Sequence, residues 1–133
     1  MKTFLDSGVL LSAWKRGELH ERAVSIMADE TREFLTCENV KLEVLPKPAF
    51  EKRRAEVEFY NHHFNAAAAS ELFSAALGEA ALALAKKQGL AAGEAFNLAS
   101  AIRQGADEFI TSELPGKPMF RVSGIKIISL NSL

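Results

Sequence analysis

Between Leu90 and Glu113 the chain changes its hydrophobic period from that of a helix to that of a buried strand. Ala95, Leu98, Ala99 and Ile102 fall at i, i+3, i+4 and i+7, the apolar stripe of a helix lying on a sheet, and Gly105 after Gln104 supplies a left-handed stop. Glu108 to Thr111 then reads as a short buried strand. Such units recur along the chain. Thr3 to Leu5 predict a first strand, followed by a helix up to Gly17. Glu18 to Glu30 predict a second helix with Leu19, Ala23, Ile26 and Met27 inward and Val24 near the stripe edge. Glu33 to Cys37 predict a second strand, and Glu38 to Leu45 a short helix. Pro46-Lys47-Pro48 marks a boundary, because proline cannot continue a helical hydrogen-bond ladder.

From Ala49 to about Asn65 the pattern predicts a longer helix with a basic start, Lys52-Arg53-Arg54, and an aromatic end, Phe59-Tyr60 and Phe64. An alanine-rich helix follows from Ser70 to Gln88, closed by Gly89, with Leu72, Phe73, Ala76, Leu77, Ala80 and Leu84 able to pack. After the loop Leu114 to Pro118 come Met119 to Arg121 and a last buried strand, Ile125 to Leu130. Strands separated by helical crossovers imply an α/β fold, a three-layer α/β/α sandwich around a short, mostly parallel sheet. At 133 residues, 48% of them hydrophobic, the chain reads as one domain over residues 1–133.

Composition narrows the choice of partners. The formal net charge is -1, so any nucleic-acid contact must come from a local patch, and Lys41, Lys47, Lys52, Arg53 and Arg54 are the candidates for following a phosphate backbone. The lone Cys37 excludes an internal disulfide and a cysteine-based zinc cluster, which fits a reducing, cytoplasmic setting. The start MKTFLDSG is no signal peptide, since Asp6 interrupts a short apolar run. Ala66 to Ala85 is broken by Glu71 and Glu79 and is no membrane span.

The candidate chemistry is carboxylate chemistry. A helix that precedes a strand of a parallel sheet runs antiparallel to it, so Glu94 in the first turn and Glu113 after the strand reach the same edge. That edge, at the carboxyl ends of the strands, is where open α/β sheets hold ligands. Asp6 ends the first strand there, and Glu43 leans back toward it from its short helix. Four acids at one edge repel one another and favour protons or a cation, and an oxygen-rich set suits Mg²⁺ or Mn²⁺. Asp6 is equally placed to cap the helix after it, and Glu94 to complement a helix dipole. Asn97, one turn along from Glu94, could support the acids or serve the core. No GxGxxG, GxxxxGK[ST] or GxSxG motif is present, and the adjacent His62 and His63 with distant His20 make a poor zinc set.

FLDSGVLL, FLTCENVKLEV and LAAGEAFNLASAIRQGADEFITSE together resemble the signature regions of PIN domains, in particular the small VapC-type toxins of bacterial toxin–antitoxin pairs. The likeness spans nearly the whole chain and is weakest across Pro46 to Ala85. It implies a parallel α/β/α fold and an Mg²⁺- or Mn²⁺-dependent endoribonuclease acting on RNA. It also implies association as a homodimer and with an antitoxin protein, with the helix around Lys52 to Phe64 as the expected partner surface. By position it makes Asp6, Glu43, Glu94 and Glu113 the catalytic and metal-holding quartet. Glu94 and Glu113 stand where the family usually has aspartate, and one extra bond lengthens the reach of each by roughly 1.5 Å. A catalytically weak PIN-fold binding or regulatory module is the alternative that those two departures suggest.

Overall fold

The computed structural model describes all residues, 1–133. Five strands form one parallel sheet: β1 (Lys2–Leu5), β2 (Glu33–Cys37), β3 (Ala69–Glu71), β4 (Glu108–Thr111) and β5 (Lys126–Ser129), in the order β3-β2-β1-β4-β5. The helices are α1 (Ser7–Trp14), α2 (His20–Met27), α3 (Glu38–Val44), α4 (Pro46–Phe50), α5 (Arg54–Ala66), α6 (Ala75–Gln88) and α7 (Ala92–Arg103), and 3₁₀ turns span Pro118–Arg121 and Leu130–Ser132. From β1 the chain steps outward through β2 to β3, then crosses back to β4 on the other side of β1. Right-handed crossovers therefore put α1 to α5 on one face and α6 and α7 on the other. The packing agrees: α1 lies against α2, α3 and α5, while α6 packs on α7 and on the Pro118–Arg121 turn.

β1 is central because it is apolar on both faces. Phe4 and Leu5 are fully buried, as are their partners Phe109 and Ile110 on β4, and the Phe4 and Phe109 rings stack with centroids 5.5 Å apart. Strands buried on both sides need such continuous apolar runs. Polar groups at the opposite, amino end of the sheet are paired: Thr3 Oγ1 and Arg32 Nε both donate to Glu108 Oε2, at 2.6 and 2.8 Å.

The first, second and fourth strands and the last helix lie where the pattern places them, and Gly105 has the left-handed φ of 73° that ends α7. Other expectations need correction. Ile102 is 37% exposed, because the buried stripe of α7 runs through Ala95, Leu98 and Ala99 and then turns to Ala101. Val24 also faces solvent. The predicted boundary at Pro46 is present, but it parts two helices: α3 ends at Val44 and Pro46 starts α4, since the missing N–H costs nothing at a first helical position. The single long helix from Ala49 is two helices, parted at Glu51 to Arg53, where Lys52 takes a left-handed φ of 57°.

The predicted start at Ser70 hides a strand. Ala69–Glu71 pairs in parallel with Leu35 to Cys37 at the sheet edge, and α6 begins only after Ser74, whose hydroxyl accepts from the Leu77 N–H at 3.0 Å. Helix propensity favours this alanine-rich stretch as helix, but the unpaired edge of β2 takes up its backbone groups. Leu72 is accordingly exposed, and Phe73 packs edge-on against Phe96 while remaining 42% exposed. Met119 to Arg121, which the pattern assigns to no element, lies in a 3₁₀ turn. The aromatic end of α5 is largely core: Tyr60 and Phe64 are buried, and Phe59 rests on Trp14. His63 is buried between Phe34 and Phe64 while His62 is exposed, so the two histidines share no site.

No helix is long and apolar enough to cross a membrane. Left-handed φ costs an L-residue roughly 1–2 kcal/mol, less the entropy that glycine loses on folding. Lys52→Gly should therefore raise unfolding free energy by up to about 1 kcal/mol, whereas Gly89→Ala, at φ 69°, should lower it by about 1 kcal/mol. Urea denaturation of both variants beside the parent chain measures the contrast.

Candidate functional site

Because β2 lies on one side of β1 and the returning β4 on the other, the carboxyl ends of β1 and β4 flank the point where the topology reverses, the place at which open α/β sheets leave a crevice. Asp6 sits there. Its backbone N–H donates to the Ile110 carbonyl at 2.9 Å, continuing the β1–β4 ladder, and its side chain caps α1 by accepting from the Ser7 N–H at 3.0 Å. The same carboxylate faces inward and is buried. Oδ2 accepts from Thr111 Oγ1 at 2.9 Å and Oδ1 from Asn97 Nδ2 at 2.9 Å. Capping and site membership are thus two uses of one group.

Asn97 joins Asp6 to Glu43. Its amide nitrogen also donates to Glu43 Oε1, at 2.8 Å, so one NH₂ group bridges two carboxylates that would otherwise repel. The Asn97 carbonyl oxygen accepts from Asn39 Nδ2 at 3.0 Å and from Cys37 Sγ at 3.5 Å, which fixes the amide with its nitrogen toward the acids. Asn39 lies one turn before Glu43 on α3 and itself donates to Glu43 Oε1 at 3.3 Å. The neighbouring helices close in through Gly93, where a Cβ would lie 2.7 Å from Glu43 Oε2. Glu43 Oε2 makes no protein hydrogen bond, and the absence of a side chain at position 93 is what lets α7 approach it this closely.

The other two predicted acids are placed differently. Glu94 is in the first turn of α7, as expected, but Oε1 turns back to accept from the Ala91 N–H at 3.2 Å, the N3 half of a capping box. The Glu113 carboxylate bonds to none of the other three. Its main chain is tied to the cluster instead: its N–H donates to the Thr111 hydroxyl at 3.1 Å, the same hydroxyl that holds Asp6, and its carbonyl accepts from Ser129 Oγ at 2.6 Å. Asp6 and Glu43 are therefore brought together, and Glu94 and Glu113 reach the same edge without joining them. No three acidic, histidine or cysteine side chains stand close enough to hold a metal ion between them.

The electrostatics follow from burial. Loss of water around Asp6 pushes its carboxyl up to about 6, with the Glu43 charge adding to the rise and the Thr111, Asn97 and Ser7 hydrogen bonds opposing it. Burial also raises the Cys37 thiol, which keeps it protonated as the donor to Asn97. An all-oxygen donor set matches the preference of Mg²⁺ or Mn²⁺, and the Asp6–Glu43 pair could supply part of one. Asn39 went unnoticed in the sequence; the available signal was an amide four residues before Glu43 on the same helical face.

The arrangement is that of an α/β/α domain with a carboxylate pair at the switch point of its sheet. The chain belongs to the PIN domain family, whose model matches residues 3–113, a span that includes all four predicted acids. Solved structures of similar fold include VapBC2 from Rickettsia felis bound to a DNA fragment from its promoter, at 13% identity and TM-score 0.71, covering 96% of this chain and 97% of that one. A toxin–antitoxin complex from Klebsiella pneumoniae is similar at 16% identity and TM-score 0.70, covering 96% and 97%. VapBC-1 from nontypeable Haemophilus influenzae matches at 14% identity and TM-score 0.67, covering 98% and 99%. A search of curated proteins returned no match.

The raised Asp6 value has a definite effect on stability. The folded protein keeps a proton that the unfolded chain releases between 3.8 and about 6, so charged Asp6 costs stability above pH 6, and the cost vanishes as the pH falls below 3.8. Asp6→Asn should therefore stabilise the metal-free protein by about 1–3 kcal/mol at neutral pH and by little near pH 4. Denaturation in EDTA at the two pH values tests this, and a neutral-pH loss of stability would count against it.

Proposed function

We propose that the chain is a metal-dependent endoribonuclease of the toxin–antitoxin type, hydrolysing RNA phosphodiesters with Mg²⁺ or Mn²⁺. The observation that carries the reading is the buried Asp6–Asn97–Glu43 bridge at the switch point of a PIN fold. Asp6 and Glu43 are the residues that would hold the cation, with Glu94 and Glu113 at the same edge as the further acids. When bound, the cation supplies positive charge to the phosphate oxygens and to the attacking water.

The chain's own residues have separable tasks. Thr111 and the Ser7 N–H hold Asp6 in one orientation, so its charge is aimed into the crevice. Asn97 and Asn39 occupy Glu43 Oε1 and leave Oε2 as the acceptor able to take the water's proton while the P–O bond to the leaving oxygen breaks. The bond that tethers Glu94 is a single exposed cap, worth about 1 kcal/mol and thus cheaply exchanged for a stronger ligand.

That tether also supports the second reading, a PIN-fold binding or regulatory module in which Glu94 stays a helix cap. Association as a homodimer, and with an antitoxin like the partners named for the similar complexes, belongs to the first reading. α5 is a poor anchor for either, since Tyr60 and Phe64 are committed to the core.

Purified protein should cleave single-stranded RNA only when Mg²⁺ or Mn²⁺ is present, and Asp6→Asn or Glu43→Gln should lower the rate at least roughly 100-fold with the fold retained, as befits loss of an acid–base or charge-stabilising group. Gel analysis of a labelled transcript with and without EDTA decides the matter. Folded, metal-loaded protein that leaves every RNA intact would favour the binding module.

A further inference from the structure

Two cavities lie along α1. The first, about 420 Å³, is lined by Gly8, Ser12, Lys15, Glu18, His20 and Ser112 among others. It adjoins the carboxylate cluster, because Ser112 follows Thr111 and Gly8 lies two residues after Asp6. Contact there is so close that any side chain at position 8 would collide with the Ser112 hydroxyl. The second cavity, about 510 Å³, shares His20 with the first and is walled by Trp14, Arg16, Val24 and Phe59. His20 stands at the junction, its Nδ1 3.3 Å from the Ser12 carbonyl oxygen. Both volumes lie in the range of small-molecule sites.

Trp14 is the telling residue. It is the only tryptophan, it ends α1, it is 37% exposed, and its ring is held against Phe59 at 5.5 Å between centroids. α1 has eight residues and so measures about 12 Å, which is the span between the acidic edge at its start and the indole at its end. Lys15 and Arg16 follow Trp14 directly, and neither forms a salt bridge. Glu18 is the one acid lining either cavity. A partly exposed aromatic face followed by two cations without salt bridges, one short helix away from the acidic edge, has the composition of a single-stranded nucleic-acid path.

We propose that single-stranded RNA leaves the acidic edge along α1, with its backbone beside Lys15 and one unpaired base stacked on Trp14. This rests on the nuclease reading and adds to it a binding subsite on the α1–α2 side. Bases stack on aromatic rings whatever their sequence, so the subsite contributes affinity and direction rather than base choice. Arg16 adds a cation beside the stacked ring.

The test uses the full chain carrying Asp6→Asn, with Mg²⁺ and fluorescein-labelled hexauridylate. RNA should quench Trp14 emission, and Trp14→Ala should weaken binding measured by anisotropy by roughly 5- to 150-fold, the range of one base–aromatic stack. Trp14→Phe, which keeps a ring and the Phe59 contact, should retain most of the affinity. Lys15→Gln should reduce the slope of log affinity against log salt by about 0.7. Circular dichroism melting establishes that each variant is folded.

Equal RNA affinity in Trp14→Ala with unquenched Trp14 overturns the subsite, and continued cleavage by the parent chain would then leave the nuclease reading standing. Failure of the Asp6→Asn chain to bind RNA also overturns the subsite, and failure of the parent chain to cleave separately removes the nuclease. Trp14 emission that follows protein concentration but ignores RNA would assign the face to a second copy of the chain, again against the proposal.

Discussion

A carboxylate buried at the end of the central strand is the constraint on which the rest of this structure turns. Asp6 follows Leu5 directly at the end of the strand that lies between β2 and β4, so its side chain is turned inward and the residue left only 8% exposed. A buried charge is costly unless it is hydrogen-bonded, and the fold supplies a donor from each surrounding element: Ser7 from α1, Thr111 from β4 and Asn97 from α7. The remaining cost appears as a raised proton affinity rather than as an unfolded chain.

The donor from α7 has the widest consequences. By giving both amide hydrogens to acids, Asn97 ties the end of β1 to α3, and through Asn39 and Cys37 it ties both to the end of β2. Farther along the same helix, Ser100 and Arg103 hold Glu71 of the edge strand, and Gln104 donates to the Thr36 carbonyl. One face of α7 therefore organises the acidic edge and clamps the outer half of the sheet. Stability and site geometry are coupled through it, and a change at position 97 would disturb both.

Glu94 illustrates how a single extra methylene changes a role. A glutamate three residues into a helix reaches back to the N–H of its own cap residue, where an aspartate's shorter arm is less suited, and Ala91 has no side-chain acceptor to return the bond to the Glu94 N–H. The acid at the expected sequence position is thus present at the expected edge but engaged elsewhere. Glu113 shows the converse, with a free carboxylate and a main chain anchored to Thr111 and Ser129.

How much of this was legible in the sequence depended on whether the deciding forces were local. Apolar period, glycine stops and order of elements are local, and they determined strands one, two and four, helix α7, the parallel α/β class and the edge that Asp6, Glu43, Glu94 and Glu113 share. Strand β3 was illegible because Ala69, Ser70 and Glu71 have no strand propensity, and only the open edge of β2 makes them one. The break at Lys52 was hidden for a similar reason, since nothing in its side chain announces a left-handed backbone. At the site, position along the chain determined which acids arrive, but rotamers chosen by neighbours decided that Asp6 and Glu43 meet across Asn97 while Glu94 caps its helix. Hydrogen-bond partners far apart in sequence make that choice, and their geometry exists only once the sheet has brought them together.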